Sequence, residues 1–186
     1  MGKLDDLAAR YERQLRLRRE SRTGLRGLHR VLMVVYDPEL ERTLRARKEE
    51  FAQRTRAAGW SWLEFDCTPR FARWMASMDY AESYFEAPDD LAMALENDFP
   101  KTLVAELGDT LDRADENTLI GVTGAGSLYG VAFVHNLVHE VERRIKGQLA
   151  VFFPGHMDGT TFRLLDARDG WNYQAVGISP TSGDGV

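Results

Sequence analysis

The run Val-Leu-Met-Val-Val-Tyr at residues 31–36, closed at once by Asp37 and Pro38, constrains this chain more than any other segment. Consecutive apolar residues rich in valine leave no polar side for water, so the strand they form is buried on both faces. Burial on both faces is the habit of parallel sheets, whose crossover helices lie above and below. Asp37 suits an N-cap, and Pro38 suits a first helical position, where no amide hydrogen is needed. A helix is therefore predicted from there to about Ala58, burying Leu40, Leu44, Phe51 and Thr55 and closed by Gly59.

The rest of the chain alternates in the same way. Residues 4–20 place Leu4, Leu7, Ala8, Tyr11 and Leu15 at helical spacing, and Gly24 and Gly27 follow as breakers. SWLEFD (61–66), TLIGVT (118–123) and QLAVFF (148–153) read as further strands, and FARWMASM (71–78) as a short helix. The acidic stretch 80–116 predicts two helices split at Pro100, whose ring clashes with a continuing helix. Residues 131–145 carry Val131, Val134, Val138, Val141 and Ile145 on one helical face. FRLLD (162–166) and NYQAVGI (172–178) predict short strands. The expected fold is α/β: a mostly parallel sheet with helices on both faces, an N-terminal helix and a strand-rich, antiparallel C-terminal edge. Residues 1–178 are expected to form one domain, with 1–26 as a basic helix and 179–186 as a disordered tail.

With 186 residues there is room for one such core, and 44% hydrophobic with 28% charged residues argues against disorder. No apolar run approaches a membrane span, no signal peptide is visible, and Cys67 alone excludes an internal disulfide. A cytoplasmic location is the expectation. The net charge of −5 hides an asymmetry. Residues 1–30 hold nine basic side chains against four acidic, and residues 79–116 hold twelve acidic against two basic. Such a split marks either two solvated faces or two charged docking surfaces.

Each candidate site for chemistry lacks a part. The loop GVTGAGSLYG (121–130) offers Gly124, Gly126 and Ser127 between a strand and a helix, where backbone amides cradle phosphate. Yet it lacks the Lys-Ser/Thr pair of a P-loop and does not follow the first strand, as a dinucleotide fingerprint does. His135 and His139 stand at i and i+4, but Asn136 occupies the place of the glutamate that zinc proteases use. His156, Asp158, Asp166, Asp169 and Trp171 follow a strand end, although Asp158-Gly159 and Asp169-Gly170 are ordinary turn pairs. The carboxylate of Asp66 disfavours a thiolate at Cys67. No catalytic residue, metal or cofactor is called for. A basic first helix keeps direct DNA contact open as a lesser reading, against an acidic pI of about 5.4. A degenerate nucleotide-binding fold with a regulatory role is the other alternative.

Several stretches together resemble one family: VVYDP (34–38), FARWMASMDYAESYFE (71–86), GAGSLYGVAFVHNLVHEVERRIKGQLAVFFPG (124–155) and RLLDARDGWNYQAV (163–176). They are similar to the BrxB family, small components of bacterial BREX phage-defence systems. The resemblance implies membership of a complex with a PglZ-like protein of the alkaline-phosphatase type, a BrxC-like ATPase and a PglX-like DNA methyltransferase. It implies a non-enzymatic assembly or adaptor role, with the PglZ-like protein as the direct contact and no catalytic residues to carry over. For that contact the acidic helices offer Tyr80, Glu82, Tyr84, Glu86, Asp89 and Asp90.

Overall fold

The computed structural model describes residues 2–21, 27–79, 81–158, 161–164, 171–172 and 175–180. The chain opens with α1 (Lys3–Glu20), then β1 (Val31–Tyr36), α2 (Glu41–Ala46) and α3 (Lys48–Ala57). Next come β2 (Ser61–Asp66), α4 (Arg70–Ala76), α5 (Ala81–Glu86) and α6 (Pro88–Asp112). The last elements are β3 (Thr118–Thr123), α7 (Val134–Val141), β4 (Gln148–Asp158), β5 (Thr161–Leu164), β6 (Trp171–Asn172) and β7 (Val176–Ile178). The strand order is β2-β3-β4-β1-β7, all parallel, with β5 antiparallel to β4 and β6 antiparallel to β5.

The order explains which helix covers which face. From β1 the chain leaps over two positions to β2, then steps back through β3 to β4. Crossovers of one hand that travel in opposite directions must lie on opposite faces. Accordingly Phe51 of α3 packs with Leu32, Val34 and Tyr36 on one face, where α1 also buries Leu7, Tyr11 and Leu15. Phe99 and Leu103 of α6 and Val138 of α7 pack with Val31, Met33 and Val35 on the other. The doubly buried β1 is what its unbroken apolar run predicts.

Helices on both faces of a mostly parallel sheet match the expected class, with local corrections. The acidic segment does hold two helices, but they part before Pro88, and α6 runs 25 residues straight through Pro100. An interior proline costs about 3 kcal/mol. Burial of Ala94 and Phe99 before it and Leu103, Leu107 and Leu111 after it ties both halves to one core and outweighs that cost. The helix expected across 38–58 is interrupted at Arg47, whose guanidinium reaches Asp5 and Glu50 at 2.5 and 2.6 Å. Helix α7 starts at Val134 rather than 131 and passes into a 3-10 turn at Glu142–Arg144.

At the C-terminal end, β7 is not part of an antiparallel edge. It lies parallel beside β1, Val34 opposite Ile178, so that Ile178 is buried in the α1–α3 core. The antiparallel component is β4 with β5 and β6. Its strands approach closely at Gly155, where an added Cβ would stand 1.9 Å from the Arg163 carbonyl oxygen. Phe162 of β5 then joins the α6–α7 core, and Met157 and Phe162 close against Gly177. The expected disordered tail, beyond its first two residues, lies outside the described residues. Among the described residues no helix is long and apolar enough to cross a membrane.

Candidate functional site

Ligands of parallel α/β sheets bind beyond the carboxyl ends of the strands. Here β2 and β3 end at Asp66 and Thr123, and α2 with the start of α3 leans over them. The depression between them is lined by Glu41, Leu44, Arg45, Lys48, Asp66, Thr68, Thr123 and Gly124. Its own side chains fill it. Lys48 Nζ donates to both Glu64 oxygens at 2.9 and 3.2 Å, and the Thr123 hydroxyl donates to Glu64 at 2.8 Å. Asp66 Oδ1 accepts the Thr68 amide at 2.9 Å, Arg45 pairs with Glu41 at 3.2 Å, and the Tyr36 hydroxyl donates to Glu41. The hydrogen bond to Glu64 holds the Lys48 ammonium above its usual range. About 20 Å³ stays free, room for roughly one water and far from that of a nucleotide. Of these polar residues the sequence marks only Asp66 and Thr123, by their place at strand ends.

The glycine loop is occupied by itself. Gly124 takes a left-handed φ of 67°, and a Cβ there would meet Thr68 Oγ1 at 2.3 Å and Asp66 Oδ1 at 2.9 Å. The Ser127 hydroxyl and amide both donate to the Gly124 carbonyl, at 2.7 and 3.0 Å, and the Tyr129 amide donates to Gly126 at 3.2 Å. An added Cβ at Gly126 would lie 3.1 Å from Pro154 Cγ. The 3-10 turn Ala125–Leu128 buries Ala125 and Leu128, and α7 begins only at Val134. Turn geometry and close packing account for these glycines, and the helix N-terminus is not aimed by the loop.

The other candidates are apart. His135 is half-buried, and burial followed by the neighbouring His139 lowers its pKa. His139 is exposed with Nδ1 3.5 Å from Glu142. Cys67 is buried, and burial first, then the charge of Asp66, pushes its thiol up to about 12. His156 and Asp158 are exposed at the end of β4, with Asp158 3.9 Å from Arg163. Asp166, Asp169 and the Trp171 side chain lie outside the described residues. Among the described residues no group of three or more His, Cys, Asp or Glu is placed to hold a metal.

Charge distribution separates the two helical layers. On the α1–α3 side cations meet acids: Arg54 with Glu12 and Glu50 at 2.9 and 3.0 Å, Arg16 with Glu12 at 2.7 Å, Arg10 with Asp6 at 3.1 Å. Arg18 is buried, donating to the His29 carbonyl and to Gln148 at 2.7 Å, and burial lowers its pKa to about 10. Arg19 lies 5.1 Å from the Trp60 ring centroid. The basic helix is thus part of the core with much of its charge answered internally. On α5 and the first half of α6, by contrast, Glu82, Glu86, Asp89, Asp90, Glu96 and Asp98 are exposed and carry no ion pair among the described residues. Tyr84 is half-buried against the core. Tyr80 and the Phe85 side chain lie outside the described residues.

The family model for BREX protein BrxB matches residues 68–178. Comparison with curated proteins returned no match, and neither did comparison with solved structures. The matched segment runs from α4 through β7 and holds both the glycine loop and the acidic helices α5 and α6. The chain belongs to the BrxB family, components of BREX phage-defence systems.

Proposed function

We propose that this chain is a non-enzymatic assembly subunit of a BREX complex in the cytoplasm. It binds a PglZ-like protein of the alkaline-phosphatase type and links it to the BrxC-like ATPase and the PglX-like DNA methyltransferase. The observation that carries this reading is the contrast between a strand-end cleft filled by its own side chains and an acidic surface on α5 and early α6 that meets no cation among the described residues. Unpaired carboxylates on an exposed helix steer a basic partner and set its register. Glu82, Glu86, Asp89 and Asp90 form that contact, with Tyr84 supporting it from below.

Co-expression with the PglZ-like neighbour and size-exclusion chromatography at moderate salt tests the reading. A co-eluting complex is expected, with the quadruple reversal Glu82→Lys, Glu86→Lys, Asp89→Lys, Asp90→Lys slowing association by about tenfold or more. Separate elution of the wild-type proteins overturns the partner assignment, and unchanged association of the reversal variant overturns the acidic contact.

A further inference from the structure

Three large apolar side chains stand out of the surface at one end of the molecule: Met93 67% exposed, Tyr129 53% and Phe133 65%. Helix α6 is pinned at the amino ends of the strands, Arg144 to Asp112 at 2.8 Å and Lys146 Nζ to the Ala114 carbonyl at 3.1 Å. At 1.5 Å per residue its 25 residues span about 37 Å, against roughly 20 Å for the six-residue strands. Met93 therefore lies beyond the carboxyl ends of the strands. Tyr129 and Phe133 sit in the connection that leaves the carboxyl end of β3, and that connection and α6 close over one core through Leu128, Val134, Ala94 and Phe99.

The surroundings specify the occupant. Met93 shares an exposed helical stripe with Asp89, Asp90, Glu96 and Asn97, whose amide donates to the Met93 carbonyl at 2.9 Å. Exposed apolar side chains scattered singly are ordinary, but an exposed methionine set among carboxylates, at the same end of the sheet as two exposed aromatic rings, has the anatomy of a docking surface. The same carboxylates repel nucleic-acid phosphate and anionic lipid. They attract arginine, whose guanidinium also lies flat on aromatic rings.

We infer that Met93, Tyr129 and Phe133 are the apolar anchors of a docking surface for an arginine-rich apolar segment of a partner protein. The inference rests on the assembly role proposed above and extends its contact beyond α5 and the acidic stripe. Arginines of the segment stack on Tyr129 and Phe133 and pair with the acidic rim, and its apolar side chains cover Met93.

The test measures affinity of the full-length chain for the PglZ-like protein. It also measures affinity for a labelled arginine- and leucine-rich helical peptide and for the same peptide with glutamate in place of arginine. The double variant Tyr129→Ser, Phe133→Ser is expected to weaken both the PglZ-like protein and the arginine peptide about tenfold or more, and Met93→Ser to weaken them severalfold. Leu17→Ser, at an exposed position on α1, leaves them within about twofold. Unaltered unfolding curves confirm that the variants are folded. If the wild-type chain binds no PglZ-like protein, the proposed function fails while the peptide still decides the surface. Equal binding of the two peptides, or variants that hold the arginine peptide as tightly as wild type, overturns the inference.

Discussion

Replacing Tyr11 with alanine measures how firmly the basic first helix belongs to the domain. Its ring is fully buried, edge-on to Phe51 at 5.5 Å and tilted to Phe152 at 5.9 Å between centroids. Thr55 already donates its hydroxyl proton to the Phe51 carbonyl at 2.8 Å, so the 2.6 Å contact is Tyr11 donating to Thr55. Tyr11→Phe removes one donor and leaves no buried donor unanswered, a loss of about 1 kcal/mol. Tyr11→Ala also removes the ring from a site closed by α3 and β4, and large aromatic truncations of this kind cost about 3–5 kcal/mol. Urea titration followed by tryptophan fluorescence reads both, as midpoint shifts at constant slope. A loss below about 1 kcal/mol for Tyr11→Ala would refute the packing argument, since a core side chain cannot be that cheap to remove. Equal losses for the two variants would mean that the hydroxyl, not the ring, holds the helix. The consequence for function is direct: deleting the first helix uncovers Leu32, Val34 and Phe152, so loss of any activity on deletion reports unfolding before it reports contact.

Three further outcomes follow from the same geometry. Burial pushes the Cys67 thiol up to about 12, so its contribution is intact below pH 9.0, the range of a free thiol, and fades as pH rises toward 12. The expected slope rises from near zero at pH 8 to about 1.4 kcal/mol per pH unit between pH 10 and 11, is absent in Cys67→Ala unfolded over the same range, and is joined above pH 10 by buried Tyr11. Gly124→Ala should cost about 1–3 kcal/mol, from its left-handed backbone and the Thr68 contact, while Gly126→Ala costs under about 1. A phosphate cradle would instead show both variants stable and a bound nucleotide lost, which thermal shifts with and without ATP decide. Pro100→Ala restores an amide donor inside α6 and should raise stability by about 1–3 kcal/mol; a lower melting temperature would show that the proline ring itself is needed.

The strands and their class are legible because they follow from short-range patterns. The unbroken run 31–36 requires cover on both faces, the leucines 103, 107 and 111 mark one helical stripe, and Asp37 caps the Glu39 amide at 3.0 Å as its residue type predicts. The glycine loop was the most visible functional signal and the least informative. Spacing reveals that glycine is needed, not whether a phosphate, Thr68 or a turn needs it. The cleft network of Lys48, Glu64 and Thr123 joins residues from three separate elements, and no local pattern announces it.

By itself the sequence determined the alternation of strands and helices, the burial of β1 and the excess of acid between residues 79 and 116. Those are properties of neighbours along the chain, set by periodicity and composition. Only the tertiary structure decided that β7 lies parallel beside β1, that α6 passes through Pro100, and which charges are answered. Arg54 meets Glu12 across 42 residues, while Asp89 and Asp90 meet no cation among the described residues. Pairing energy depends on distance in space, and only a closed core sets that distance.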